Sequence, residues 1–220
     1  MIPTYLTKTS TTSKTTTKKT PKNWGSSIND FIDTDTSAQF IRNLVKTTHK
    51  NYLVTDSILP DDFHLSMILK TYEMCHSTYE RVYTPVNAPS KTIPNSSHQN
   101  WICVDFQSKR LVRFEPNEEM EEFGIEAMCN KIVKGMSNNT NNITYSGPEK
   151  NGLWCNPFDG CRLMSTILAS MHVMNNTHII LSNLSTDKLI GFAYLAQTEI
   201  VAFTPFVNVS KRMTRSQHKL

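Results

Sequence analysis

The run WICVDFQSKRLVRF, residues 101–114, constrains the fold more than any other part of the chain. WICVDF and RLVRF are rich in Trp, Ile, Val, Leu and Phe and are separated only by the polar, turn-like QSK. Apolar and β-branched blocks of this length read as strands, and the short connection makes them a hairpin.

Helical patterns lie on both sides of the hairpin. A helix is expected over Asp35 to Thr48. A clearer one runs from Asp61 to about Tyr79, started by Pro60 and Asp61, with Phe63, Met67, Ile68, Cys75 and Tyr79 near helical spacing. RVYTPVNAP reads as a short strand running into a loop, and SKTIPNSS as a polar connector. Glu118 to Met136 is acidic first and basic last, which suits a helix dipole. SNNTNN is a loop, ITYS a further short strand, and RLMSTILASMHVM the most persuasive helix of the chain. This order of elements indicates an α+β domain.

With 220 residues and 38% hydrophobic content, one core is expected. TKTSTTSKTTTKKTPK has almost no large apolar group to offset the entropy of ordering, so the first 24 residues are expected to be a disordered basic tail. The folded domain is expected over residues 25–209, and residues 210–220 form a second basic tail. Lys8, Lys14, Lys18, Lys19 and Lys22 at one end and Lys211, Arg212, Arg215 and Lys219 at the other exceed the formal net charge of +4, so the region between them is net acidic. Such arms are compatible with DNA binding through phosphate contacts, or with a merely solubilising role, and no aromatics are interleaved to stack on bases. The longest apolar runs fall well short of the roughly 20 residues a bilayer needs. MIPTYLTKTST has no apolar h-region, so a soluble, intracellular, non-secreted protein is expected. Cys75, Cys103, Cys129, Cys155 and Cys161 are odd in number and irregularly spaced, which argues against a disulfide framework.

The chemistry centres on PEKNGLWCNPFDGC, residues 148–161, just ahead of the last helical pattern. A thiol attacks a carbonyl as the thiolate, which is favoured at a helix N-terminus beside a histidine. Asn156 is a good N-cap and Pro157 suits the first helical position, so Cys155 would sit at the positive end of the helix. Cys161 falls on an apolar stripe with Met164, Leu168 and Met171 and reads as core; a helix starting later, capped by Asp159, would bring Cys161 to the helix mouth and reverse the ranking. The base needs an orienting acid. His98 lies just before the first hairpin strand and Glu115 just after the second, so the hairpin could bring the two together.

These pieces resemble, in order, the papain-like cysteine peptidases that include the SUMO (ubiquitin-like protein) proteases and the adenovirus maturation protease. SILPDDFHLSMILKTY resembles the family's acid-then-helix segment, and VYTPVN the strand ahead of the catalytic histidine. HQNWICVDFQSKRLVRFEP resembles the histidine, tryptophan, strand, turn and acid unit, and ITYSGPEKNGLWC the approach to the nucleophile. The resemblance implies a small central mixed sheet flanked by helices, with the nucleophile at the N-terminus of a buried helix. It implies a cysteine endopeptidase with His98 as base, Glu115 as orienting acid, Cys155 as nucleophile and Cys161 as the alternative nucleophile. Asp105 is an alternative acid, and Trp101 would pack near the histidine. No metal or organic cofactor is implied. The substrates implied are polypeptides, either viral precursor proteins cut during virion maturation or ubiquitin-like conjugates, and the setting is the host cytoplasm or nucleus, or the virion.

Two departures stand out. Gln99 and Asn100 separate His98 from Trp101, which leaves Asn100 as a rival for the histidine position. Glu149 stands six residues before Cys155, where the family has an oxyanion-binding glutamine; Asn151 is the other oxyanion candidate. An ionised carboxylate cannot donate a hydrogen bond, and losing one oxyanion donor costs about 100- to 1000-fold in rate. The rival readings are a catalytically impaired pseudoprotease acting as a binding or structural protein, a zinc protein using Cys155, Cys161, His172 and His178, and a nucleic-acid-binding module.

Overall fold

Asp33 and Asp61 start the first two helices. Asp33 accepts from the Thr36 amide at 2.6 Å and caps α1 (Thr34–Thr47); Asp61 accepts from the His64 amide at 2.8 Å and caps α2 (Asp62–Cys75). Each satisfies a helix N–H that would otherwise lack a partner. The computed structural model describes residues 33–90, 97–115, 123–137, 142–148 and 161–175. Both tails, Cys155, Glu149, Asn151 and the segment from residue 176 onward lie outside the described residues.

Four strands, β1 (Tyr52–Val54), β2 (Arg81–Pro89), β3 (Ser97–Asp105) and β4 (Arg110–Phe114), form one sheet in the order β1-β2-β3-β4. β1 runs parallel to β2, and the other two pairings are antiparallel. Two further helices among the described residues, α3 (Ile125–Ser137) and α4 (Cys161–Val173), make this an α+β fold with a mixed four-stranded sheet.

The expected hairpin is β3 and β4, in register from Trp101 opposite Phe114 to Asp105 opposite Arg110. Its turn is built by Asp105, whose Oδ1 accepts from the amides of Gln107 and Ser108 at 3.0 and 2.9 Å. β2 is longer than expected, pairing with β3 from Arg81 opposite Asp105 to Pro89 opposite Ser97. Pro85 does not break it, because its carbonyl accepts from the Ile58 amide at 3.0 Å on the side away from β3. The missing N–H therefore costs no bond between β2 and β3. ITYS contributes only an isolated bridge, Thr144 with Arg110.

One helix pair covers each face of the sheet. α1 and α4 pack on Tyr83, Trp101, Cys103, Val112 and Phe114. α2 and α3 pack on Val82, Val86, Ile102, Val104 and Leu111. β3 is buried on both faces from His98 onward, which explains the unbroken apolar run that marks it in the sequence. α4 is buried almost throughout.

α2 differs from expectation in its end and in its face. It stops at Cys75, and Phe63 and Met67 are 68% and 53% exposed, while Ile68 and Tyr72 are buried. Tyr72 decides the rotation: its hydroxyl hydrogen-bonds Thr84 Oγ1 of β2 at 3.0 Å, so its stripe turns to the sheet and the Phe63 stripe turns outward. No helix among the described residues is long and apolar enough to cross a membrane.

Candidate functional site

β3 and β4 place four polar side chains on one face at one end of the sheet. Side chains alternate along a strand, so His98 and Asn100 share a face on β3, and Arg113 and Glu115 share it across the hairpin. All four are buried. His98 Nε2 lies 2.9 and 3.0 Å from the two oxygens of Glu115. Glu115 Oε2 also accepts from Arg113 Nη2 at 2.5 Å. Arg113 Nε donates to Asn100 Oδ1 at 2.7 Å, which leaves Asn100 Nδ2 2.9 Å from His98 Nε2. Nε2 cannot donate to Glu115 and accept from Asn100 at once: the imidazolium uses Glu115, and Asn100 serves the tautomer whose proton sits on Nδ1. Phe123 covers the ring, with centroids 4.9 Å apart.

The register of β4 against β3 ends at Trp101 and Phe114, so beyond that pair β3 is paired with β2 alone among the described residues. The first residue of α4 occupies the opened edge. The Cys161 thiol hydrogen-bonds the His98 side chain and accepts from the Gln99 backbone N–H. Gln99 ties the elements together, its Oε1 accepting from Arg162 Nε at 2.9 Å and from Thr34 Oγ1 at 3.1 Å.

The electrostatics follow from these contacts. Burial opposes the His98 imidazolium, yet the hydrogen bonds to Cys161 and Glu115 outweigh it and push the pKa up to about 9. Burial likewise opposes the Cys161 thiolate, but His98, the Gln99 amide and Arg162 draw its pKa below the ordinary thiol range. Its position at the amino end of a 13-residue helix acts in the same direction. Buried Cys103 and Cys129 move the other way, Cys129 up to about 12.

Of the sequence-derived site residues, the structure brings together His98, Glu115 and Cys161. The expected helix start at Asn156 and Pro157 lies outside the described residues, as do Cys155, Glu149 and Asn151; within the described residues α4 runs from Cys161. Asp105 is at the far end of β3 from His98, held by Arg81 Nε at 2.8 Å and by its own turn. Asn100 does not take the histidine's place; it bridges Arg113 and His98. Trp101 points to the opposite face, where its Nε1 donates to Thr166 Oγ1 of α4 at 3.2 Å. His172 is in the last turn of α4, opposite in the helix to Cys161, and bonds the Tyr83 hydroxyl at 2.7 Å. Among the described residues no three His, Cys, Asp or Glu side chains are grouped to hold a metal ion. Arg113 was missed by sequence reading, although in RLVRFE the period of two already places Leu111, Arg113 and Glu115 on one face, and Asn100 was weighed only as a rival for the histidine position.

No family model matches the chain, and no curated protein matches it. Among solved structures, the chain is similar to SUMO protease Ulp1 with its catalytic cysteine oxidised to a sulfonic acid, at 11% identity over 76% of this chain and 77% of that one, with a TM-score of 0.48. It is similar to the C-terminal Ulp1 protease domain in complex with Smt3, the yeast ortholog of SUMO, at 13% identity over 76% of each chain, TM-score 0.43. A third is the Chlamydia abortus effector protein ChlaDUB, at 11% identity over 58% of this chain and 59% of that one, TM-score 0.39.

Proposed function

We propose that the protein is a cysteine peptidase whose nucleophile is Cys161, with His98 as base and Glu115 as orienting acid. The hydrogen bond between the Cys161 thiol and an imidazole held by a buried carboxylate carries this reading. It promotes the alternative cysteine of the sequence reading over Cys155, because Cys161 combines a helix start, a histidine contact and a lowered pKa.

In this mechanism the pair rests as thiolate and imidazolium. The sulfur adds to the carbonyl carbon of a peptide or isopeptide bond, and the carbonyl electrons move to oxygen. The amino end of α4 faces the resulting oxyanion with backbone N–H groups and the positive end of its dipole. His98 gives its proton to the leaving amine as the C–N bond breaks. It then takes a proton from water, whose oxygen displaces the sulfur from the thioester and releases the acid. Glu115 stays ionised and keeps the ring aimed.

The test is hydrolysis of Gly-Gly peptides, SUMO and ubiquitin fusions, compared among the wild type, Cys161→Ser and Cys155→Ser. Turnover lost in Cys161→Ser and kept in Cys155→Ser supports the proposal. The reverse pattern moves the nucleophile to Cys155, and binding of a modifier without turnover favours the pseudoprotease.

A further inference from the structure

The charged groups behind the triad form a chain that leads outward to α3. Arg113 and Glu115 side chains are each 1% exposed, so their charges are compensated by protein rather than water. A guanidinium devoted wholly to Glu115 would neutralise it and weaken its hold on His98. Arg113 is instead shared. Nη2 goes to Glu115, Nη1 to Glu126 Oε2 at 2.8 Å, and Nε to Asn100. The same Glu126 oxygen accepts from the Tyr145 hydroxyl at 2.6 Å, which fixes that carboxylate in turn. The Glu126 side chain is 33% exposed and reaches the triad only through Arg113.

Resting on the triad reading above, we propose that Glu126 is a positioning residue: by holding one arm of the Arg113 fork, it leaves the Glu115 carboxylate charged and aimed at His98. From the sheet, the groups that face this chain are His98 and Glu115. From α3 come Glu126 and Cys129, from the bridge segment Tyr145, and from α4 Cys161 and Arg162. Burial keeps Cys129 and Tyr145 neutral around pH 7. Formal charges therefore alternate along His98, Glu115, Arg113 and Glu126, with the Cys161 thiolate and Arg162 as a further opposite pair at the α4 end. Removing the outermost negative charge leaves Arg113 acting on the imidazolium with less compensation, so the thiolate and imidazolium pair becomes less populated.

The experiment is an NMR titration of His98 in the full chain, together with the alkylation rate of Cys161 by iodoacetamide at pH 7. Glu126→Gln keeps the shape and hydrogen-bond acceptor but removes the charge. Its His98 midpoint is expected to fall below that of the wild type, with alkylation slowed about three- to tenfold. Glu126→Asp, which restores the charge, is expected to return both towards wild type. Asp62→Asn, which removes the exposed partner of Lys131 on α2, is expected to leave both unchanged. An unmoved His98 midpoint in Glu126→Gln, or an equal shift in Asp62→Asn, overturns the proposal. A wild-type His98 that titrates in the ordinary imidazole range overturns the triad reading itself, and this proposal with it.

Discussion

His98 presents one ring nitrogen to both oxygens of Glu115, at 2.9 and 3.0 Å, with the two side chains only 4% and 1% exposed. A carboxylate held this way fixes the ring's direction and favours its protonated form, while Arg113 on the other side of Glu115 keeps that carboxylate ionised. Orientation of the ring and the state of the thiol are thus set from the same strand pair.

Glu115→Gln should be costly in both stability and reactivity. The substitution leaves the buried Arg113 charge with Glu126 alone and removes the partner of the imidazolium. Urea unfolding is expected to show a loss of about 3–5 kcal/mol, as for other broken buried pairs. Alkylation of Cys161 at neutral pH is expected to fall, because a weaker imidazolium raises the thiol pKa.

Trp101 should separate structure from chemistry. It is fully buried on the α4 side of the sheet and donates to Thr166. Trp101→Phe is expected to cost about 1 kcal/mol for the lost hydrogen bond and Trp101→Ala about 3–5 kcal/mol for the cavity, read from urea midpoints at unchanged m. At a denaturant-free midpoint well above the assay temperature, Trp101→Phe should still show selective alkylation of Cys161.

The outward face of α2 should be nearly neutral. Met67→Gln and Met74→Gln are expected to change unfolding free energy by less than about 0.5 kcal/mol, as for ordinary surface positions. Ile68→Ala, one residue along, is expected to cost about 2–5 kcal/mol. Comparable losses at Met67 and Ile68 would mean that the helix is rotated from the position described.

Much of this arrangement is legible in the sequence because it is written in short-range periods. The hairpin followed from two apolar blocks and a short polar turn, and α4 from the apolar stripe of Cys161, Met164, Leu168 and Met171. His98 and Glu115 could be paired because an antiparallel hairpin brings its outer ends together. α2 misled because both of its faces carry apolar residues, and only the Tyr72 contact with β2 chooses between them. The length of β2 was hidden by Pro85, whose tolerance depends on which edge its missing N–H faces. Cys161 was ambiguous for a physical reason: it satisfies the apolar stripe of its helix and also begins it, and no local pattern distinguishes the two. Arg113 reads as a surface charge until both of its carboxylate partners are placed.

The coupling of Cys161 to His98 is tested most directly by the pH dependence of alkylation, resolved by cysteine with mass spectrometry between pH 5 and 10. Cys161 has a lowered pKa and His98 one near 9, so the thiolate is present at pH values below the ordinary thiol range, and the imidazolium beside it is lost as pH rises through about 9. The expected profile is selective labelling of Cys161 at neutral pH, with a second change in rate near pH 9, and a shift of Cys161 into the ordinary thiol range in His98→Ala. Labelling of Cys161 only alongside the other cysteines at alkaline pH, unaffected by His98→Ala, would contradict it.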